Sequence, residues 1–200
     1  MNRKIGMWCS VINAAAVIAF AVSMLFDFLF GCYFSSMFIA ISFVPMMCAY
    51  AHYSEPKAKT AGYTAVAFAA VYAALILTVY FSQLTTVRFG GLNAQASALL
   101  DFNQMGLFFY YDMLGYAMMS LAVFFAGLTV CAVNKTDKLL KAALLVHGVF
   151  FVSCLFMPLL NVFTTDSPKW IGVAVLEFWS LYFCPIGILS FRYFKNREEA

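Results

Sequence analysis

The sequence predicts an all-α fold: a six-helix transmembrane bundle with its N and C termini cytoplasmic. Three observations carry this reading. Hydrophobic residues make up 64% of the 200-residue chain and charged residues only 10%, with mean hydropathy +0.88. A soluble domain is about 45–50% apolar and about 25% charged, so this chain lacks the polar surface to coat a globule in water. Six apolar stretches, each near the roughly 20 residues that cross a bilayer, fill most of the sequence. The basic residues alternate between the connections in the pattern of a multi-pass protein. This composition excludes a soluble enzyme, a nucleic-acid binder, a disordered chain and a secreted disulfide scaffold.

The spans follow from the gaps between charges. Span 1 covers about Ile5 to Phe30, and span 2 about Tyr33 to Ala51, with a tight turn at Gly31-Cys32. The apolar run after Arg3-Lys4 is longer than the roughly 7–15 residues of a signal-peptide core, so it reads as a retained helix. Span 3 covers about Ala61 to Ser82. Its small residues Gly62, Ala65, Ala69 and Ala73 form a seam suited to close helix packing. Span 4 covers about Met105 to Val133, span 5 about Leu139 to Asn161, and span 6 about Trp170 to Phe191. The one long connection, residues 83–104, lies outside and has room for a short interfacial helix over Ser97 to Asp101. No internal repeat or domain boundary appears, so the chain reads as one transmembrane domain.

Orientation follows from Lys and Arg. Arg3, Lys4, Lys57, Lys59, Lys135, Lys138, Lys141, Arg192, Lys195 and Arg197 fall on one side of the predicted membrane, and only Arg88 and Lys169 on the other. An excess of this kind marks the cytoplasmic face. The expected location is a plasma (inner) membrane and the expected surroundings are the lipid bilayer. The net charge of +3 is then a topological signal, with no basic face for a nucleic-acid backbone to follow.

The informative residues are the polar ones within the spans. Asp27, Asp112 and Glu177 are carboxylates inside predicted helices, all in the outer half, with no Lys or Arg in any span to neutralise them. A carboxylate at the centre of a membrane helix costs about 2.5–3.5 kcal/mol on insertion scales, so it faces a cavity or a partner. Tyr110, Tyr111 and Tyr116 flank Asp112. An acid among aromatic rings suits an organic cation through charge pairing and cation–π attraction. The candidate ligand-binding residues are therefore Asp112, Glu177, Asp27, Tyr116 and Tyr111. His147, the ionisable residue deep in the inner half, is a candidate relay or an interhelical hydrogen-bonding group. Pro45, Pro158 and Pro185 mark expected kinks.

Other chemistry lacks a signature. The six cysteines form no C-x-x-C pair and read as small apolar residues. No metal-binding, phosphate-binding or nucleophile motif is present, so no catalytic residue, metal ligand or cofactor is assigned. The six-span plan with both ends inside, and the Ala15-to-Ala19 small-residue spacing, resemble the substrate-binding subunits of energy-coupling-factor vitamin transporters. Those subunits carry a substantial first loop as a lid, and here that loop is nearly absent. The expected function is binding or transport of a small molecule or cation in an acidic, aromatic pocket. Two other readings stand beside it: a non-catalytic subunit of a larger membrane complex, and an intramembrane lipid-modifying enzyme.

Overall fold

A computed structural model describes residues 1–162 and 168–197. Most of the connection between the fifth and sixth predicted spans lies outside these residues. The described chain is all-helical: α1 (Asn2–Leu25), α2 (Leu29–His52), α3 (Lys59–Ser82), α4 (Ala94–Leu100), α5 (Leu107–Thr129), α6 (Lys135–His147), α7 (Val149–Leu159) and α8 (Lys169–Lys195). Six stretches are long and apolar enough to cross a membrane, with α6 and α7 together forming the fifth.

The helices close a ring. α1 packs on α2, α2 on α3, α3 on α5, and α5 on both α6 and α7; α8 joins α1 to α6. Both termini lie at one end, here the terminal end. There Phe194 reaches Tyr53, with ring centroids 6.3 Å apart, and Asn2 bonds His52 at 3.1 Å. The opposite, distal end holds the α1–α2 turn and the α3–α5 connection.

The α1–α2 turn differs from its sequence reading. It falls at Phe26–Phe28 rather than at Gly31-Cys32, which belong to α2. Asp27 adopts φ +51°, Asp27 N–H donates to Met24 O and Phe28 N–H to Ser23 O. This left-handed closure satisfies the last carbonyls of α1, and the short polar side chain of Asp tolerates it. Asn161 repeats the device after α7 with φ +50°. Asp27 therefore belongs to an exposed turn and not to a span.

The fifth span is also different. It starts earlier than Leu139, at Lys135, where the side chain of Asn134 accepts from Asp137 N–H and the Asp137 carboxylate accepts from Val133 N–H. It then breaks at Gly148. Proline is not the cause: Pro45, Pro158 and Pro185 all lie inside continuous helices. Gly148 instead sits against Phe124 of α5, where a Cβ would come within 2.9 Å of the ring.

Small residues stand at close contacts between helices. Gly62 lies on Ala51 of α2, and Gly115 on Ile76 of α3. Ala65, Ala69 and Ala73 are buried between neighbours. The small-residue seam of α3 is thus consumed within the bundle and offers no surface to another subunit.

The stretch 83–104 is more ordered than an open loop. α3 widens into a π-helical turn over Gln83–Val87, and α4 runs Ala94–Leu100, earlier than the expected Ser97 to Asp101. The Gln83 side chain pins this connection. Its amide donates to Leu100 O at 2.6 Å and its carbonyl accepts from Phe102 N–H at 3.1 Å. Gly106 lies against the Ala98 carbonyl, which a Cβ would overlap.

Candidate functional site

Asp112 stands on the inner face of α5, about 8 Å from the helix start at Leu107 by the rise per residue. It is 5% exposed. Two other helices reach it. Tyr80 of α3 is its hydrogen-bonding neighbour, and Tyr80 together with Ser36 of α2 also adjoins the hydroxyl of Tyr116, one turn along α5. Tyr72 of α3 completes the group, its ring centroid 5.9 Å from that of Tyr116.

The cluster holds more polar atoms than it satisfies. Asp112 Oδ1, Tyr116 Oη, Tyr72 Oη and Ser36 Oγ are all buried and make no hydrogen bond of acceptable geometry. A buried polar atom left unpaired costs about 1–3 kcal/mol, and native structures keep few of them. Other buried polar groups are scattered through the bundle, but these four fall on neighbouring side chains and define a polar chamber. Aromatic rings close it distally: Tyr33 stacks on Tyr80 at 5.4 Å, and Phe102 meets Tyr80 at 6.2 Å and Phe109 at 5.3 Å. The Gln83 hydrogen bonds hold Phe102 in this plug.

The expected site residues separate. Asp112 and Tyr116 share the chamber. Tyr111 points outward and is 37% exposed, while the Tyr110 hydroxyl faces Asn161. Asp27 is in the exposed turn. Glu177 is half-buried on α8, where it and Asp27 are both neighbours of Cys32. Two residues along α8, and therefore about 200° around the helix, Trp179 points inward to Tyr116. The three acids thus do not meet in one pocket.

His147 occupies a second, separate place. It is fully buried among Phe150, Tyr182 and Phe183. The Trp179 indole N–H donates to its Nε2 at 3.2 Å. Indole is a donor only, so Nε2 is the acceptor and a neutral ring carries its proton on Nδ1.

Sequence alone does not mark Tyr72 or Ser36, and it reads Tyr80 as a span-end residue of an interfacial belt where the structure buries it in the site, though a signal for all three exists. Continuing the α3 seam from Ala65 and Ala69 in steps of three or four leads to Tyr72, Ile76, Tyr80 and Gln83. The same step along α2 from Cys32 reaches Ser36.

At the terminal end, outside this chamber, Lys57 lies 2.9 Å from Glu55 and holds that exposed carboxyl below its ordinary range. Arg197 Nη2 donates to Cys131 O at 2.8 Å, approaches Asp137 at 3.7 Å and covers the Tyr193 ring at 4.1 Å. This clasp ties the end of α8 to the α5–α6 connection.

Fold and chamber together define the class: an all-helical protein with six helices able to span a membrane and one carboxylate buried among tyrosines. Comparison with protein-family models, with curated proteins and with solved structures returns no match.

Proposed function

We propose that this is a multi-pass membrane protein that binds a positively charged solute at Asp112, with a proton as the alternative occupant. The observation that supports it is the uncompensated carboxylate: Asp112 is buried beside three unpaired hydroxyls, and no Lys or Arg among the described residues pairs with it. A buried carboxylate without a counter-charge is strongly unfavourable, so it either takes a proton or takes a cation. Those two states exchange, and coupling one to the other is the chemistry of a cation carrier or sensor. Arg88, the basic residue nearest in sequence to the distal plug, lies over Phe30 at 4.8 Å and does not supply the missing charge.

The proposed orientation puts the termini in the cytoplasm, supported by ten of the twelve basic residues at the terminal end. The chamber then opens toward the outside through the Phe102 plug, and the proposed location is the plasma membrane.

Proton release tests this function. Purified protein in weakly buffered detergent solution is titrated with sodium chloride and, separately, with choline chloride. One of the salts should release protons from the wild type, and Asp112→Asn should abolish the release while Glu177→Gln retains it. Release that is absent with both salts, or unchanged in Asp112→Asn, sinks the proposal.

A further inference from the structure

We infer that the occupant of the chamber is a single univalent inorganic cation of the sodium type, stripped of water and held by oxygen atoms alone. This rests on the reading that Asp112 binds positive charge, and it adds which charge.

The donor set is the first argument. The unpaired atoms are one carboxylate oxygen and three hydroxyl oxygens, from Asp112, Tyr72, Tyr116 and Ser36 on three helices. All-oxygen sets suit hard cations, whereas imidazole and thiolate select transition metals. His147 has its Nε2 committed to Trp179. Among the described residues no group of three His, Cys, Asp or Glu side chains forms a metal cluster.

Charge is the second. The chamber holds one carboxylate. A univalent cation leaves it neutral, while a divalent cation leaves a net positive charge in a medium of low dielectric, where an uncompensated charge is costly. Size is the third. Two cavities, of about 280 and about 120 Å³, lie at the terminal end and involve none of the chamber residues. The aromatic rings of Tyr33, Tyr80, Phe102 and Phe109 close over Asp112, so a small occupant suits the site better than a bulky organic one. A proton satisfies one oxygen, whereas a metal cation is able to take several of these oxygens as ligands at once.

The test is thermal unfolding of the full chain in detergent, with sodium chloride or choline chloride at matched ionic strength, together with binding of radioactive sodium. Sodium should raise the unfolding temperature saturably and choline should not. Asp112→Asn should abolish sodium binding. Tyr116→Phe and Ser36→Ala each remove one oxygen without altering charge, so they keep the test open if Asp112→Asn does not fold. Each should raise the half-saturating sodium concentration about tenfold, the equivalent of about 1.4 kcal/mol. Choline binding that depends on Asp112, without sodium binding, overturns this inference and leaves the proposed function standing. Sodium binding unchanged in both single-oxygen variants overturns the coordination set. If neither cation binds and protons are not released, both readings fall.

Discussion

Trp179 of α8 donates its indole N–H to Nε2 of His147 at the end of α6, across 3.2 Å, where the fifth span breaks. Both side chains are buried. The bond joins α8 to the fifth span beside Gly148, and Trp179 then stacks on Phe183 at 5.2 Å and meets Tyr116 at 5.5 Å. The indole therefore connects the helix break to the wall of the Asp112 chamber.

Trp179→Phe keeps most of the ring packing and deletes the donor. It leaves His147 Nε2 buried and unpaired, which costs about 1–3 kcal/mol. The expected outcome is a lower unfolding temperature in detergent. The double variant Trp179→Phe with His147→Leu, which removes both polar partners, should recover part of that loss. An equal or larger loss in the double variant would show that the bond is not the source.

Gln83 makes two hydrogen bonds to the distal connection, one to Leu100 O and one to Phe102 N–H. Gln83→Ala should free the segment from α4 to Phe102. Hydrogen–deuterium exchange should rise over residues 94–104 and remain unchanged within α1 and α2. Uniform protection across the segment in the variant would mean that the aromatic plug holds by itself.

Gly62 tests the packing of α3 on α2. A Cβ there would stand 2.8 Å from the Ala51 backbone. Gly62→Val should destabilise the bundle by about 1–3 kcal/mol through overpacking. Gly172, where an added Cβ would point into open space, is the matched control: Gly172→Ala should be neutral or slightly stabilising in an unfolding assay.

Lys57 and Glu55 form an exposed pair, and water and salt screen such a pair until it adds little to stability. Lys57→Ala should leave the unfolding temperature within error of the wild type. Arg197→Gln should not, because it removes the bond to Cys131 O and the approach to Asp137 at a site where the arginine is largely buried. Comparing the two melting curves separates the clasp from a surface ion pair.

Orientation is open to a direct measurement. A reporter fused after Ala200 and active only in the cytoplasm should show activity, and one inserted at Gly90-Gly91 should not. Those glycines have positive φ and open space around them, so an insertion there meets no packing obstacle. The reverse pattern would place the chamber on the cytoplasmic side.

Much of this architecture is legible in the sequence. Helix content and six candidate spans follow from the length of the apolar runs between charges, because a backbone in lipid must satisfy its own polar groups. Asp112 and Tyr116 stood out because a carboxylate in such a run is costly. Asp27 stood out on the same ground and for the wrong reason. The apolar run continues past it, and the left-handed Asp27 turn carries no Gly or Pro to announce the end of the helix. Gly148 is equally silent: a single glycine in an apolar run reads as helix, and only the structure shows that Phe124 leaves no room there for a side chain.

The sequence by itself determined the class of molecule, the number of candidate spans and the uneven distribution of basic residues. These depend on composition and local order along the chain. Tertiary structure alone decided which polar groups share a chamber. It placed Ser36, Tyr72 and Tyr80 against Asp112 and Tyr116, and sent Glu177 to the opposite face of α8 from Trp179. The physical reason is that lipid and bundle interior are both apolar, so hydrophobicity does not orient a helix about its axis. That rotation is set by small residues such as Gly62 and Gly115 meeting their neighbours, which is a property of pairs of helices and not of any one of them.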